Sequence, residues 1–448
     1  MQSVFISSTK KSSGKTILSI GLARLSKKLN LITQTFKKGP DFIDPSWLAR
    51  ASGTPCYNLD FNSMSNKEIC ELFKTKSKDS DFKIIEGTKG LYDGVALDGS
   101  DSNAELAKLI KSNIILIVDC EGMTRGIAPL LNGYSNFDSN ISPKRVILNN
   151  VSNTRHENKL ISAIRNYTDF KCYGSLPKID DIINERHLGL IPAFQYRNAN
   201  KIIDNICNIV KSNVNYNKII PLKKKKSKLL TRQKAKSQTT LTIGIAMDEA
   251  FGFYYQDDIE KFESMNCRIK KIDFIKDKNL PRIDALIIGG GFPETVAQKL
   301  ASNYSMKSSL RKAIDSNLPV YAECGGLMYL ADSISFGGKK RKMCGVLDID
   351  IDMEVKPVGR GLTILSPYKH LWGIKNKLIN AHEFHYSSVK FKKKKYKFAY
   401  KIKRGYGING FQDGLIHKKL IASYSHLRAS NKMNWIKYFI KFIQSTHG

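Results

Sequence analysis

Two short segments of the sequence carry side chains that do chemistry, at spacings that let them do it. In the first, Ser12, Ser13, Gly14, Lys15 and Thr16 follow the apolar run SVFISS at residues 3–8 and open a stretch whose apolar residues recur at three and four. Backbone N–H groups at such a strand-to-helix turn meet phosphate oxygens. A lysine there reaches the β and γ phosphates, and the neighbouring hydroxyl is a ligand for Mg2+. The strict phosphate-loop pattern has glycine five residues before Gly14, where this chain has Thr9, and the competing reading is an ordinary polar turn. Lys10 stands where a variant class of phosphate loops carries an extra lysine, a weak match because Lys11 adjoins it.

The second segment is Ala322-Glu323-Cys324-Gly325-Gly326, set between the apolar PVY and the helix-like LMYLADSI. A strand–nucleophile–helix turn lifts a side chain above a sheet, and a thiol at a helix start is the more nucleophilic for it. The N–H of Gly325 and that of Gly291, in the turn Gly289-Gly290-Gly291, are candidates for an oxyanion hole. The base is sought in His426, within Ser423-Tyr424-Ser425-His426 near the end of the chain. Buried packing for the thiol and a structural role for the imidazole are the alternatives.

Carboxylates follow the phosphate loop in an order that suits phosphoryl transfer: Asp41 in FKKGPDFIDP, Glu86 at the end of an apolar strand, and Asp93 in Tyr92-Asp93-Gly94. Asp41 and Glu86 join Thr16 as candidate Mg2+ ligands, and Asp93 is a candidate for substrate positioning or phosphate transfer. The plain reading makes Asp41 and Asp93 turn residues beside Pro and Gly. The segment His382-Glu383-Phe384-His385-Tyr386 lacks the helical H-E-x-x-H spacing and reads as a substrate- or interface-facing loop rather than a metal site.

These loops need strands to hold them. Residues 82–86, 114–118 and 145–148 are short continuous apolar runs of the kind found in buried parallel strands, alternating with amphipathic stretches. After the basic segment 222–238, a second strand-and-helix pattern begins at LTIGIAM, residues 241–247. The expected architecture is therefore two α/β domains. An N-terminal phosphate-loop domain with a mainly parallel sheet spans 1–222, a basic linker 223–238, and a second domain 239–448.

Composition narrows the classes. With 42% hydrophobic residues the chain can bury cores, so disorder throughout is excluded. No apolar run reaches the roughly 20 residues needed to span a bilayer, and no signal-peptide pattern opens the chain, so a cytosolic protein is expected. Eight cysteines without a CxxC pair argue against a disulfide framework or structural zinc. The net charge of +33 is mostly dispersed lysine, so it is read as a solvated surface that steers an acidic small molecule, with no nucleic-acid or membrane partner.

The order of SSGKT, FKKGPDFIDP, EGTKGLYDG, ERHLGL, AMDEAFGFYY, GGGFPE, AECGGLMYL, AHEFHYS and ASYSHL resembles the cobyrinic acid a,c-diamide synthase family, over nearly the whole chain. The resemblance implies a phosphate-loop synthetase domain that activates a carboxylate with ATP and Mg2+. It also implies a class I glutamine amidotransferase domain that supplies ammonia, with L-glutamine and a tetrapyrrole polycarboxylate as further partners; a homodimer is compatible with it. Cys324 would be the thiolate and His426 its base. Two loop glycines of the family are Ser8 and Ser12 here, which puts ATP affinity in question if those positions need positive φ. Class I amidotransferases often carry Glu two residues after the histidine; Arg428 stands there, so a Cys–His dyad is expected. Val358-Gly359-Arg360-Gly361 departs from the family's Gly-Tyr segment. The alternatives are an amidotransferase of the cobyric acid synthase or nickel-sirohydrochlorin type, and a phosphate-loop ATPase or binding module with an inactive glutaminase domain.

Overall fold

Apolar runs of five to seven residues become the central strands of a seven-stranded, all-parallel sheet in the computed structural model. The structure describes residues 2–179, 185–186, 189–221, 241–368, 372–375, 377–393 and 395–447. The basic segment expected as a linker, 223–238, therefore lies outside the described residues, and ERHLGL (185–190) lies partly outside them. The chain divides into two units, Met1–Thr231 and Arg232–Gly448.

In the first unit the strands are β1 (Ser3–Ser8), β2 (Thr33–Lys38), β3 (Cys56–Leu59), β4 (Phe82–Glu86), β5 (Asn113–Asp119), β6 (Arg145–Val151) and β7 (Lys171–Pro177), in the spatial order β3-β2-β4-β1-β5-β6-β7. Alternate residues of a strand face opposite sides. Val4 and Ile6 thus pack with Leu18, Trp47 and Ile203 on one side, while Phe5 packs with Phe36, Leu106 and Leu160 on the other. Burial on both faces is why these strands read as continuous apolar runs. Parallel pairing brings the C-terminal ends of β1, β2 and β4 side by side, with Ile6 opposite Glu86 and Glu86 opposite Lys37. Helix α1 (Lys15–Lys28) starts directly after the loop that leaves β1.

The second unit holds a nine-stranded mixed sheet. Five parallel strands come first, in the order Cys267–Ile272, Leu241–Ala246, Ala285–Ile288, Val320–Glu323 and Leu420–Ser423. Four antiparallel strands extend the edge: Gln412–His417, Lys397–Arg404, Gly359–Pro367 and Ile379–His385. The helix after Cys324 is shorter than LMYLADSI suggests. It covers Gly325–Leu330, and Ala331–Phe336 is already a strand. Gly337 and Gly338, at φ 56° and 72°, turn that strand into a two-residue hairpin with Lys339–Lys342, which captures the segment for a sheet. Among the described residues no helix is long and apolar enough to cross a membrane.

Candidate active sites

The phosphate loop begins where β1 ends. Gly14 has φ 94°, and a Cβ there would lie 2.7 Å from the Asn149 side-chain nitrogen, so the turn demands glycine. The Lys15 ammonium is buried. It donates to Ser8 Oγ at 2.7 Å and to the Lys89 carbonyl at 2.8 Å, and the Lys10 carbonyl lies at 3.4 Å. Burial, and then the nearby Lys37 charge, push Lys15 down to about 8. Ser13 Oγ donates to the Lys10 carbonyl, and Lys10 itself pairs with Asp119 at 2.8 Å. Ser12 is left-handed at φ 57°, so one of the two replaced glycines does stand where positive φ is required. Ser8 is different: it ends β1 and contributes its hydroxyl as the acceptor for Lys15.

Beneath the loop, Thr16 Oγ1 donates to Glu86 Oε1 at 2.8 Å. Lys37, which sequence reasoning passed over, is fully enclosed and donates to the same oxygen at 2.8 Å and to Asp44 Oδ2 at 2.5 Å. Asp41 is the more distant partner at 3.8 Å; its Oδ1 accepts the N–H groups of Ile43 and Asp44. Burial and the Asp44 charge push Asp41 up to about 7. Thr16, Asp41 and Glu86 are thus neighbours around one lysine, and Asp44 belongs with them. Among the described residues no three His, Cys, Asp or Glu side chains converge as a complete metal cage. Mg2+ seldom has such a cage, taking one or two carboxylates with phosphate oxygens and water. Glu86 Oε2, buried and without a hydrogen bond, is the oxygen such an ion would use, and the donor set fits it. Asp93 accepts the Gly90 N–H at 2.9 Å, bracing its own loop within electrostatic reach of Lys15.

The thiol site is built by register. Val320–Glu323 runs parallel to Leu420–Ser423, Glu323 lies opposite Ser423, and Cys324 N–H donates to the Ser423 carbonyl at 2.7 Å. Cys324 has φ 46° and ψ −101°, a strained backbone for a residue with a Cβ and the geometry of a nucleophile elbow. Its Sγ lies 4.0 Å from the Phe384 carbonyl, and the thiol is among the groups that favour a charged His426 imidazole. The glycine turn is pressed against this pair: a Cβ on Gly290 would meet His426 Cε1 at 2.5 Å, and one on Gly325 would meet Gly291 N at 3.0 Å. The structure therefore brings Cys324, His426, Gly291 and Gly325 together.

The expected dyad has more company than the sequence suggested. Glu323 Oε2 lies 3.1 Å from His426 Nδ1. Burial works against a charged His426, but its hydrogen bonds to Cys324 and Glu323 and the Glu323 charge outweigh that and push it up to about 10. His382 is stacked on it. The segment read as a substrate- or interface-facing loop is instead largely the buried strand Ile379–His385, whose Ile379 and Ala381 face a core. Arg428 pairs with Asp257 at 2.8 Å, its guanidinium over the Tyr255 ring. In the strand Gly359–Pro367, Gly359 lies opposite His385, where a Cβ would come within 2.3 Å of its Nε2. A glutamate beside the nucleophile was the one signal in the sequence for Glu323; nothing in it marked His382 as a neighbour of His426.

Comparison with known proteins agrees with this division of labour. Residues 4–191 match the family described as CobQ/CobB/MinD/ParA nucleotide binding domain, and residues 242–434 match the CobB/CobQ-like glutamine amidotransferase domain. A protein of Magnetococcus marinus named cobyrinate a,c-diamide synthase is 35% identical, the alignment covering 98% of this chain and 96% of that one. Proteins of the same name from Archaeoglobus fulgidus and Methanobrevibacter smithii are each 34% identical, over 98% and 96% of this chain and 96% and 97% of their own.

Proposed function

We propose a function from one premise: this chain belongs to the cobyrinate a,c-diamide synthase family. It is an ATP-dependent, glutamine-hydrolysing carbon–nitrogen ligase. It converts the a and c side-chain carboxylates of cobyrinic acid, or of its metal-free counterpart, into carboxamides. The observation that carries the reading is the presence on one chain of a phosphate loop over buried carboxylates and of a buried thiol–imidazole pair in an elbow. A cytosolic location suits an enzyme that draws on ATP and glutamine.

A carboxylate resists amine attack because oxide would have to leave. Transfer of the γ-phosphoryl group gives an acyl phosphate, and ammonia then displaces phosphate. In this reading the loop N–H groups and Lys15 hold the phosphates, and Ser12, Ser13 and Gly14 shape the turn. Thr16 and Glu86, with Asp41 and Asp44 behind them, would hold Mg2+, which neutralises phosphate charge when bound. Lys37 keeps those carboxylates together in the free protein. Asp93 orders the loop beside Lys15 and is retained as a phosphate-transfer or substrate-positioning group. At the other site the Cys324 sulfur adds to the glutamine carboxamide carbon, with the N–H groups of Gly291 and Gly325 facing the oxyanion. The thiol proton passes to His426 as sulfur adds. Collapse breaks the C–N bond as His426 gives that proton to the departing ammonia, leaving a glutamyl thioester that water hydrolyses to glutamate and the free thiol.

The test supplies cobyrinic acid, MgATP and glutamine and follows product mass. Wild type should add two amides from glutamine, and Cys324→Ala should do so only from added ammonium salt. Failure of wild type with either nitrogen source would refute the substrate assignment.

A further inference from the structure

Consecutive residues of a strand point to opposite faces, yet Glu323 bonds the His426 imidazole and Cys324 acts on the same ring. The positive φ of Cys324 makes this possible by turning the chain between them. Glu323 is buried and both of its oxygens are engaged: Oε2 with His426 Nδ1, and Oε1 with the Leu427 N–H at 2.9 Å. A carboxylate that grips an imidazole edge and the adjacent backbone together fixes the ring in position and in rotation. With Nδ1–H donated to Glu323, Nε2 is the nitrogen left for sulfur.

We infer that Glu323 is the positioning residue of the glutaminase site, holding the Nδ1 edge of His426 so that its Nε2 faces Cys324. The inference rests on the glutaminase reading given above. Two residues after the histidine, where an acid would ordinarily do this, the chain has committed Arg428 to Asp257. The acid beside the histidine is the residue before the nucleophile, where the parallel register of Glu323 with Ser423 brings it alongside. Other groups face the ring as well. His382 stacks on it from the neighbouring strand, Cys324 meets it from the elbow, and the Arg428 charge stands behind His382. Of these, Glu323 supplies a negative carboxylate in contact with the ring, so with Cys324 it favours an imidazolium there.

Glu323→Gln separates positioning by charge from plain structural support, because a glutamine oxygen still accepts the Leu427 N–H. Glutamine hydrolysis and the labelling of Cys324 by a glutamine-like diazoketone are to be followed from pH 6 to pH 10.5. The variant should lose about 100-fold in kcat with KM changed less than about threefold. The alkaline limb of its profile should fall by at least about one pH unit towards the ordinary imidazole range. Wild-type kcat with an unmoved limb in Glu323→Gln would overturn the inference while leaving the glutaminase reading intact. A wild type that neither hydrolyses glutamine nor takes the label would instead sink that reading. Should the variant not fold, nitrogen-15 imidazole spectra of Cys324→Ala, which keeps Glu323, decide, with His426 assigned from His426→Asn. Titration of His426 well above the ordinary imidazole range supports the inference, and titration near about 6.5 overturns it.

Discussion

The imidazole of His382 lies flat against that of His426, with ring centroids 4.9 Å apart and planes 19° from parallel. Their backbones are bridged too, His426 N–H donating to the His382 carbonyl at 2.8 Å. Burial first, then the His426 and Arg428 charges, hold His382 well below the usual histidine range, so it stays neutral beside a protonated neighbour. A hydrogen bond between the Tyr255 hydroxyl and His382 Nδ1, at 3.2 Å, fixes the ring from behind.

His382→Ala should therefore loosen His426 rather than remove a reacting group. Glutamine hydrolysis is expected to fall about tenfold, less than for loss of an acid–base group. Denaturant unfolding should show a loss of about 2–3 kcal/mol from the cavity. The sign of the pH dependence follows from the depressed value. The unfolded chain takes up a proton on His382 below about pH 6.5 and the folded chain does not, so its contribution to stability is present above that pH and is lost as pH falls. The stability gap between wild type and His382→Ala should narrow on acidification, and a gap constant from pH 8 to pH 5 would contradict the neutral assignment.

Lys37 is the counterion of the carboxylate cluster, in contact with Asp44 and Glu86. Lys37→Met keeps the volume and removes the charge, leaving buried carboxylates uncompensated. Urea unfolding at pH 8 should show a loss of about 3–5 kcal/mol. The loss should shrink at pH 5, where the unpaired carboxyls can take protons instead. Equal losses at both pH values would mean that Lys37 matters for packing alone.

Much of this is legible in the sequence. Continuous apolar runs gave the parallel strands, and SGKT and ECGG each fell at a strand-to-helix turn because both motifs carry the glycines that such turns need. Sequence order does not say which strands become neighbours, and the misses were of that kind. Lys37 meets Glu86 across β2 and β4, Glu323 meets His426 across two parallel strands, and His382 meets His426 through an isolated antiparallel bridge. The segment around His382 looked like a loop because its polar residues face one another inside the protein. The helix after Cys324 was overread because ADSI continues an apolar spacing, whereas the glycine pair that recruits it to a hairpin lies beyond it.

Ser8 and Ser12 replace glycines with different consequences. Ser12 holds φ 57°, which costs a residue with a Cβ about 1 kcal/mol. Ser12→Gly should thus stabilise the free protein by about 0.5 kcal/mol once the added freedom of the unfolded chain is counted. It should also leave nucleotide affinity unchanged or better. Ser8→Gly relieves no strain and takes away the hydroxyl that accepts from Lys15. Melting curves of the two variants should move in opposite directions, and a shared direction would mean that φ does not distinguish them.

Lys15 supplies the last prediction. In the free protein its value of about 8 leaves much of it uncharged at pH 9, with its nitrogen directed to Ser8 and the Lys89 carbonyl. A triphosphate favours the ammonium form, so binding at pH 9 must draw a proton from solution, while binding near pH 7 finds the proton already in place. Calorimetric titration with MgATP in two buffers of unlike ionisation heat measures this directly. Uptake should approach one proton at pH 9 and stay small at pH 7, and affinity should fall by up to about tenfold per unit between them once pH exceeds 8. Binding with no proton uptake at pH 9 would show that Lys15 keeps its charge in the free loop, and that the enclosure by Ser8, Lys10 and Lys89 does not lower it.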